Sequence, residues 1–490
     1  MFLLIVLVLL PLLYIIITKY KYWENRGVPG PKPLPIIGNV GVSLIGRKNL
    51  SEIYAAIYHK YEDCPFVGFY RMFQPCLIIR DPEIIKNVLI KDFSHFRDNE
   101  IKVHEDLDPL LSQHTFVMKG ERWKKARQTM TPNFASGKMK AIFPLAENVS
   151  KNLVKYLEKQ GDAAIDAKDA FTKYSCDLVA VCALGIEGHS FDDPNAEFLT
   201  LARKFATPGI SLQAIKLTLA FFMPTLIKAK LLPQSFEDGM MALTNNTLQY
   251  RTENNIERND FFGNIARTPS ISPIEIAAHM ANFLIDGFES SSTVLTFVLY
   301  ELAVNPECQT KLRNEILSVL KKCEENFTYE AMQDMVYLDA CVRETLRVHP
   351  GLAQLSKICT EPYTMTSSGS DFRNISVTVE KGTTIIIPLL GLHRDAKYFS
   401  TPDKFIPERF LDKTEDNMSM YMPFGSGQRM CIGSRFGLLQ VKLGIAQMIR
   451  NFEITLNEKT IYPLEYDPIY FTLYPKGGFW FNCKKVKVTE

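Results

Sequence analysis

Phe424-Gly-Ser-Gly-Gln-Arg-Met-Cys431-Ile-Gly433 sets three glycines and an arginine around one cysteine. Glycines permit the tight turns that bring backbone N–H groups toward a sulfur, and Arg429 adds positive charge two residues away. Both features favour thiolate over thiol, the form a metal ligand needs. No second Cys or His stands nearby, which argues against a tetrahedral zinc site. A lone thiolate with room opposite suits a haem iron, where electron donation from sulfur favours O–O cleavage.

Three further constellations ask for a place near that sulfur. Ser272-Pro-Ile-Glu275 is a helix start, with an N-cap serine, proline at the first position and glutamate at the third. The pattern predicts a helix to about Ala303, before Asn305-Pro306, and roughly 48 Å long at ~1.5 Å per residue. It is apolar on most sides, so it belongs in the core. Asp286, Gly287, Glu289 and Ser290 to Thr293 nevertheless interrupt its middle. Buried carboxylates and hydroxyls are costly unless paired, and are often functional. Glu344 and Arg347 are three apart on one helix face and able to bond each other. Trp123 and Arg127 are four apart, and both can donate to an anion.

These motifs, in this order, resemble the microsomal cytochromes P450, which are haem-thiolate monooxygenases. Gly391-Leu-His-Arg-Asp before Phe405-Ile-Pro-Glu-Arg409-Phe is similar to the insect xenobiotic-metabolising members. The resemblance covers essentially the whole chain. It implies the cytochrome P450 fold, mainly α with small β-sheets (α+β), and haem b with Cys431 as axial ligand. Phe424, Arg429 and Gly433 match the family's cysteine-loop pattern. Trp123 and Arg127 are implied as donors to one haem propionate and Arg429 to the second. Lys357 stands where a further basic residue normally follows; lysine keeps the charge but lacks the bidentate fork. Glu344, Arg347 and Arg409 are implied as a structural cluster that holds up the haem loop.

Gly287-Phe-Glu289-Ser290 resembles the family's acid–alcohol motif. Glu289 and Ser290 are thereby implied in proton relay, and Gly287 in a local opening of the helix. Most members carry threonine at Ser290, so the hydroxyl survives without the methyl that fixes its rotamer. Asp286 stands where Ala or Gly is commoner. In the fatty-acid ω-hydroxylase branch a glutamate at this place is esterified to a haem methyl; a carboxylate hydrogen-bonded within its helix is the favoured alternative here.

By resemblance, a pocket for a lipophilic small molecule is lined by Phe96 to Phe116, Phe283, Phe288, Leu352 to Leu355 and residues near Ile469. The chain has no flavin or dinucleotide fingerprint, so electrons come from outside. The implied donors are NADPH-cytochrome P450 reductase and, as a second, cytochrome b5. Lys124, Lys125, Lys138 and Lys140 offer a basic face for such a partner, or an ordinary solvated one. Two rivals stand beside this reading: a P450-fold hydroperoxide isomerase, and a haem sensor or carrier without turnover.

The positioning elements follow from the wider pattern. With 46% hydrophobic and 22% charged residues the chain is globular, not disordered or fibrous. Lys plus Arg number 56 against 54 Asp plus Glu, which makes bulk nucleic-acid binding a poor fit. Phe2 to Thr18 carries no charge and spans ~25 Å as a helix, the short end of what crosses a bilayer. Lys19, Lys21 and Arg26 follow it and orient the body toward the cytoplasm, at the endoplasmic reticulum membrane. The expected organisation is an anchor over 1–18, a basic and proline-rich linker over 19–38, and one catalytic domain over 39–490. A cytoplasmic body keeps its ten cysteines reduced. Phe66 to Tyr70, Cys76 to Ile79, Thr383 to Ile387 and Gly478 to Asn482 read as strands, and the long middle as amphipathic helix. The apolar stretch Phe205 to Leu232 reads as a membrane dip at the substrate entrance or an internal helix pair.

Overall fold

The computed structural model describes residues 18–206, 218, 220–223, 227–258, 260–367, 371–411, 416–470 and 472–486. The expected anchor, apart from Thr18, and most of the centre of the 205–232 stretch lie outside them. Among the described residues no helix is long and apolar enough to cross a membrane.

The helices that build the site are α1 (Gly120–Met130), α2 (Ser136–Gln160), α3 (Ala167–Val179), α4 (Pro273–Val304), α5 (Val336–Val348) and α6 (Ser434–Asn451). α4 begins as its sequence dictates. The Ser272 hydroxyl accepts from the Glu275 N–H, the Glu275 carboxylate accepts from the Ser272 N–H at 2.8 Å, and Pro273 takes the first position. Leu284, Leu295, Val298, Leu299 and Leu302 have no exposed surface, and each contributes about 1.5–3 kcal/mol by burial. α3 and α6 pack along α4, so its middle crosses the centre of the helical core.

Ten strands form three sheets among the described residues. They are β1 (Phe66–Arg71), β2 (Gln74–Ile79), β3 (Asp98–Asn99), β4 (Ile165–Asp166), β5 (Leu355–Ile358), β6 (Tyr363–Thr366), β7 (Ser376–Val379), β8 (Thr384–Ile387), β9 (Phe452–Leu456) and β10 (Trp480–Lys485). The largest sheet runs β1-β2-β8-β5-β3, with β2 and β8 parallel and the other neighbours antiparallel. It joins both early strands to the late strand at Thr383 to Ile387 and adds β5 and β3, which the pattern did not single out; the other expected late strand, within Gly478 to Asn482, lies on β10 in the separate sheet β4-β10-β9. The pairing Asn99 to Lys357 across β3 and β5 brings two polar residues to the rim of the helical core.

The proline-rich segment does not run free. Pro29 accepts the Gly68 N–H at 2.9 Å, and the Trp23 indole donates to the Phe69 carbonyl at 3.1 Å. Trp23 is buried, so packing against β1 begins well before residue 39.

Candidate active site

Gly427 starts the tight turn before Cys431 with φ +72°, and a Cβ there would overlap the Leu89 carbonyl oxygen. The Cys431 N–H donates to the Phe424 carbonyl at 2.8 Å, closing the loop. α6 starts at Ser434 with Gly433 as its N-cap, and the Gly433 N–H bonds the sulfur. Of the ten cysteines, all free, Cys431 alone is exposed. That exposure is inward, because the surroundings desolvate the thiol and Asp286 and Arg127 both act on it.

The electrostatics correct one expectation. Burial pushes the Cys431 thiol up to about 11, and Asp286 acts in the same direction. The Gly433 N–H and Arg127 pull it back without prevailing. Arg429 is not the helping cation. Its guanidinium donates to the carbonyls of Arg97, Met118 and Thr115 at 2.7, 2.8 and 3.2 Å and meets Asp98 at 3.3 Å. Loop glycines and Arg429 therefore do not make the thiolate by themselves. A coordinated metal ion does so outright.

Three cations gather beside this loop with one acid among them. Arg429 stacks 4.2 Å over the ring of buried Trp123, and burial lowers it to about 10. Lys357 on β5 donates to Asn99 at 2.7 Å; burial first, then Arg429, pulls it down to about 7. Arg127, one turn beyond Trp123 on α1, is also lowered by burial. Asp98 is the carboxylate that opposes these shifts at Lys357 and Arg429. Two further carboxylates, the number haem b carries, would satisfy this buried excess of positive charge. The residues present thus fit the cofactor. Asp98 and Asn99 fall within the Phe96 to Phe116 stretch expected at the pocket, but only the pairing of β3 with β5 brings them beside Lys357.

Across from Cys431, the middle of α4 shows two exposed residues in a buried helix, Asp286 and Ser290, one turn apart. The Ser290 hydroxyl donates to the Asp286 carbonyl at 2.7 Å. Glu289 is not bonded to Ser290; neighbouring residues on a helix point ~100° apart. It turns instead to Lys168 on α3, whose ammonium lies 2.8 Å from Oε1 and also reaches Ser292 and Thr293 at 3.0 and 3.2 Å. Lys168 was not singled out by sequence.

Gly287 does not open the helix, which continues through it. A Cβ there would come within 2.9 Å of Val179 on α3, so the glycine serves close helix packing. Gln440 on α6 donates to its carbonyl at 3.0 Å.

The expected structural cluster is present. Arg347 donates twice to Glu344 at 2.8 Å, Arg409 once at 3.2 Å, and the Ile406 N–H a fourth time at 2.9 Å. Arg347 also binds the carbonyls of His393, Pro402 and Lys404. His393 accepts the Met422 N–H at 3.1 Å, two residues before the cysteine loop.

Three of the aromatic residues expected at the pocket are packed among other side chains. Phe288 is fully buried, and Phe96 packs on Tyr363 in the sheet core. Phe283 stacks on Phe134 at 5.3 Å and meets Phe261 at 4.1 Å.

An inward thiol at a helix N-terminus, a cationic cradle beside it and a hydroxyl-bearing helix opposite define a haem-thiolate protein. The family model for cytochrome P450 matches residues 28–480, and the chain belongs to that family. It is 36% identical to cytochrome P450 6j1 of Blattella germanica, covering 96% of this chain and 95% of the relative. It is 34% identical to cytochrome P450 6a2 of Drosophila melanogaster, covering 97% of each. Cytochrome P450 9e2 of Blattella germanica is 31% identical over 95% and 94%. The protein is therefore a haem monooxygenase that takes a small-molecule substrate and a redox partner, with haem b as cofactor.

Proposed function

We propose that the chain is a microsomal monooxygenase that takes electrons from NADPH through a flavoprotein reductase, with cytochrome b5 as a second donor. It inserts one oxygen atom of O2 into lipophilic molecules, xenobiotics among them. The observation that carries this reading is the inward exposure of Cys431, Asp286 and Ser290 around one interior space beside a cationic cradle. Haem held there supplies iron for oxygen activation, with Cys431 as its thiolate. Arg127, Trp123, Lys357 and Arg429 would hold the propionates, Phe424 and Gly433 shape the loop, and Ser290 and Glu289 would pass protons inward. Lys168 keeps Glu289 in place. Lys124 and Lys140 are each paired with a glutamate, which leaves exposed Lys125, part-exposed Lys138 and exposed Arg435 as docking charges for a reductase.

Localisation at the endoplasmic reticulum membrane, with a cytoplasmic body, rests on the apolar run 2–18. Exposed Leu34, Ile36, Ile37, Val42 and Ile45 support it. They form an apolar surface at the anchor end of the chain. Phe222 packs nearby on Val40 and Met72.

The test is a carbon monoxide difference spectrum of the reduced holoprotein, then turnover with O2, NADPH and reductase. The red-shifted thiolate band and NADPH-dependent oxygenated product are expected. Absence of the band in haem-loaded protein refutes the reading. Product formed from hydroperoxides alone favours the isomerase.

A further inference from the structure

His349 follows the last residue of α5 and is buried, so each of its ring nitrogens needs a partner inside the protein. The Phe297 ring stacks on its face at 4.3 Å, and the Tyr300 ring meets it edge-on at 6.3 Å. Nε2 lies 2.7 Å from Oε1 of Glu301 on α4, and Nδ1 lies 2.8 Å from the Tyr466 hydroxyl. Arg394 donates to that same hydroxyl oxygen at 2.8 Å. At the other end of the row, the Asn305 amide donates to Oε2 of Glu301 at 3.3 Å.

The chemistry of these groups fixes where the hydrogens sit. A guanidinium only donates, so the Tyr466 oxygen accepts from Arg394. The hydroxyl hydrogen is left for Nδ1 of His349, which is then the bare nitrogen of a neutral imidazole. Nε2 carries the ring proton and donates it to the Glu301 carboxylate. The whole row depends on His349 holding one ring proton and not two. Burial holds His349 below its ordinary 6.5 against the pull of Glu301, with Arg394 and Arg347 acting on the side of burial. Tyr300 and Tyr466 also face the ring; burial pushes both up to about 12, so they stay neutral.

Tyr466 belongs to a hairpin over 465–476. The Asp467 N–H donates to the Tyr474 carbonyl at 2.8 Å and the Lys476 N–H to the Glu465 carbonyl at 2.9 Å. Buried Leu473 packs with Phe297, Ala353 and Leu390, and the turn carries exposed Ile469. We propose that His349 is the latch of this hairpin: the neutral imidazole holds Tyr466, and a second proton on the ring releases it. Its consequence for substrate selection rests on reading Leu352 to Leu355 and Ile469 as pocket wall. A proton on Nδ1 meets the Tyr466 hydroxyl hydrogen head-on and adds a third cation beside Arg394 and Arg347. Release returns the ring to its ordinary 6.5. The open state then binds one proton more below that value, so opening grows about tenfold for each further pH unit of acid.

The test is amide hydrogen exchange on the ferric holoenzyme at about pH 7.5 and about pH 5.5, each rate divided by its intrinsic value. The Asp467 and Lys476 amides should open about tenfold more often at the lower pH. The Asn457 amide, bonded to the Trp480 carbonyl outside the hairpin, should not change. His349→Gln offers an oxygen to Tyr466 and an N–H to Glu301 but has no proton to gain, so its hairpin should lose the pH response. Tyr466→Phe keeps the ring and removes the hydroxyl; its hairpin should open more readily at both pH values, again without the response. The inference is overturned if Asp467 and Lys476 exchange in wild type ignores pH, or if Asn457 changes with them. It is equally overturned if either variant keeps the wild-type response. The carbon monoxide band of the reduced protein, recorded at both pH values, separates the two readings. Its absence at the higher pH sinks the haem-thiolate assignment and leaves the latch to the exchange data. Its loss at the lower pH in step with hairpin opening overturns the latch, since acid then acts on the whole haem site.

Discussion

Replacing Glu344 with Gln keeps shape and one acceptor but removes the charge that two buried guanidinium groups share. Glu344 and Arg347 have no exposed side-chain surface and Arg409 has 5%. All four hydrogen bonds to the carboxylate come from donors that water does not reach easily. Removing one partner of such a buried set costs about 3–5 kcal/mol, mostly as the penalty of the unpaired charges left behind. Against a total stability of about 5–15 kcal/mol this is a large loss. The internal control is Glu408→Gln, whose pair with Lys311 is about half exposed; a surface pair of that kind contributes 0.2–1 kcal/mol. Urea unfolding of the holoprotein, followed by far-UV circular dichroism, measures both. Haem content should fall with Glu344→Gln, because Arg347 fixes the His393 carbonyl and His393 fixes Met422 ahead of the loop. Adding Arg347→Met to Glu344→Gln should return part of the loss, since it removes an unpaired charge. The reasoning is refuted if Glu344→Gln costs no more than Glu408→Gln, or if the second substitution makes matters additively worse.

Ser290→Ala is expected to divert reducing equivalents to hydrogen peroxide, read as peroxide formed per NADPH consumed; unchanged coupling removes Ser290 from the relay. Lys168→Met strands the Glu289 carboxylate, which already has one buried oxygen without a partner, and should lower coupling by a comparable factor while substrate affinity holds. Gly427→Ala forces a Cβ onto the Leu89 carbonyl in a left-handed turn, and the reduced holoprotein should lose most of its thiolate band. In haem-free protein Lys357 is neutral above about 7 while the unfolded chain keeps that proton to 10.5. The unfolded state then binds more protons, so stability should rise with pH between about 7 and 10. Lys357→Met should flatten that rise in urea midpoints, and haem loading should suppress it by supplying a carboxylate.

Much of this site was legible in the residue order. Local rules wrote the start of α4, the tight turn before Cys431 and the i,i+3 geometry of Glu344 with Arg347, because each depends on neighbours within a few residues. The resemblance then named the family, and the comparisons bear it out. Tertiary packing decided the rest. Lys168 reaches Glu289 from 121 residues away, and Lys357 reaches Asn99 from 258. No periodicity records such distances. It also reversed two readings: Gly287 serves the approach of α3, and Arg127, not Arg429, is the cation felt by the Cys431 thiol. A sequence states which charges exist. Burial sets what each is worth, and only the folded chain determines which of them share a space.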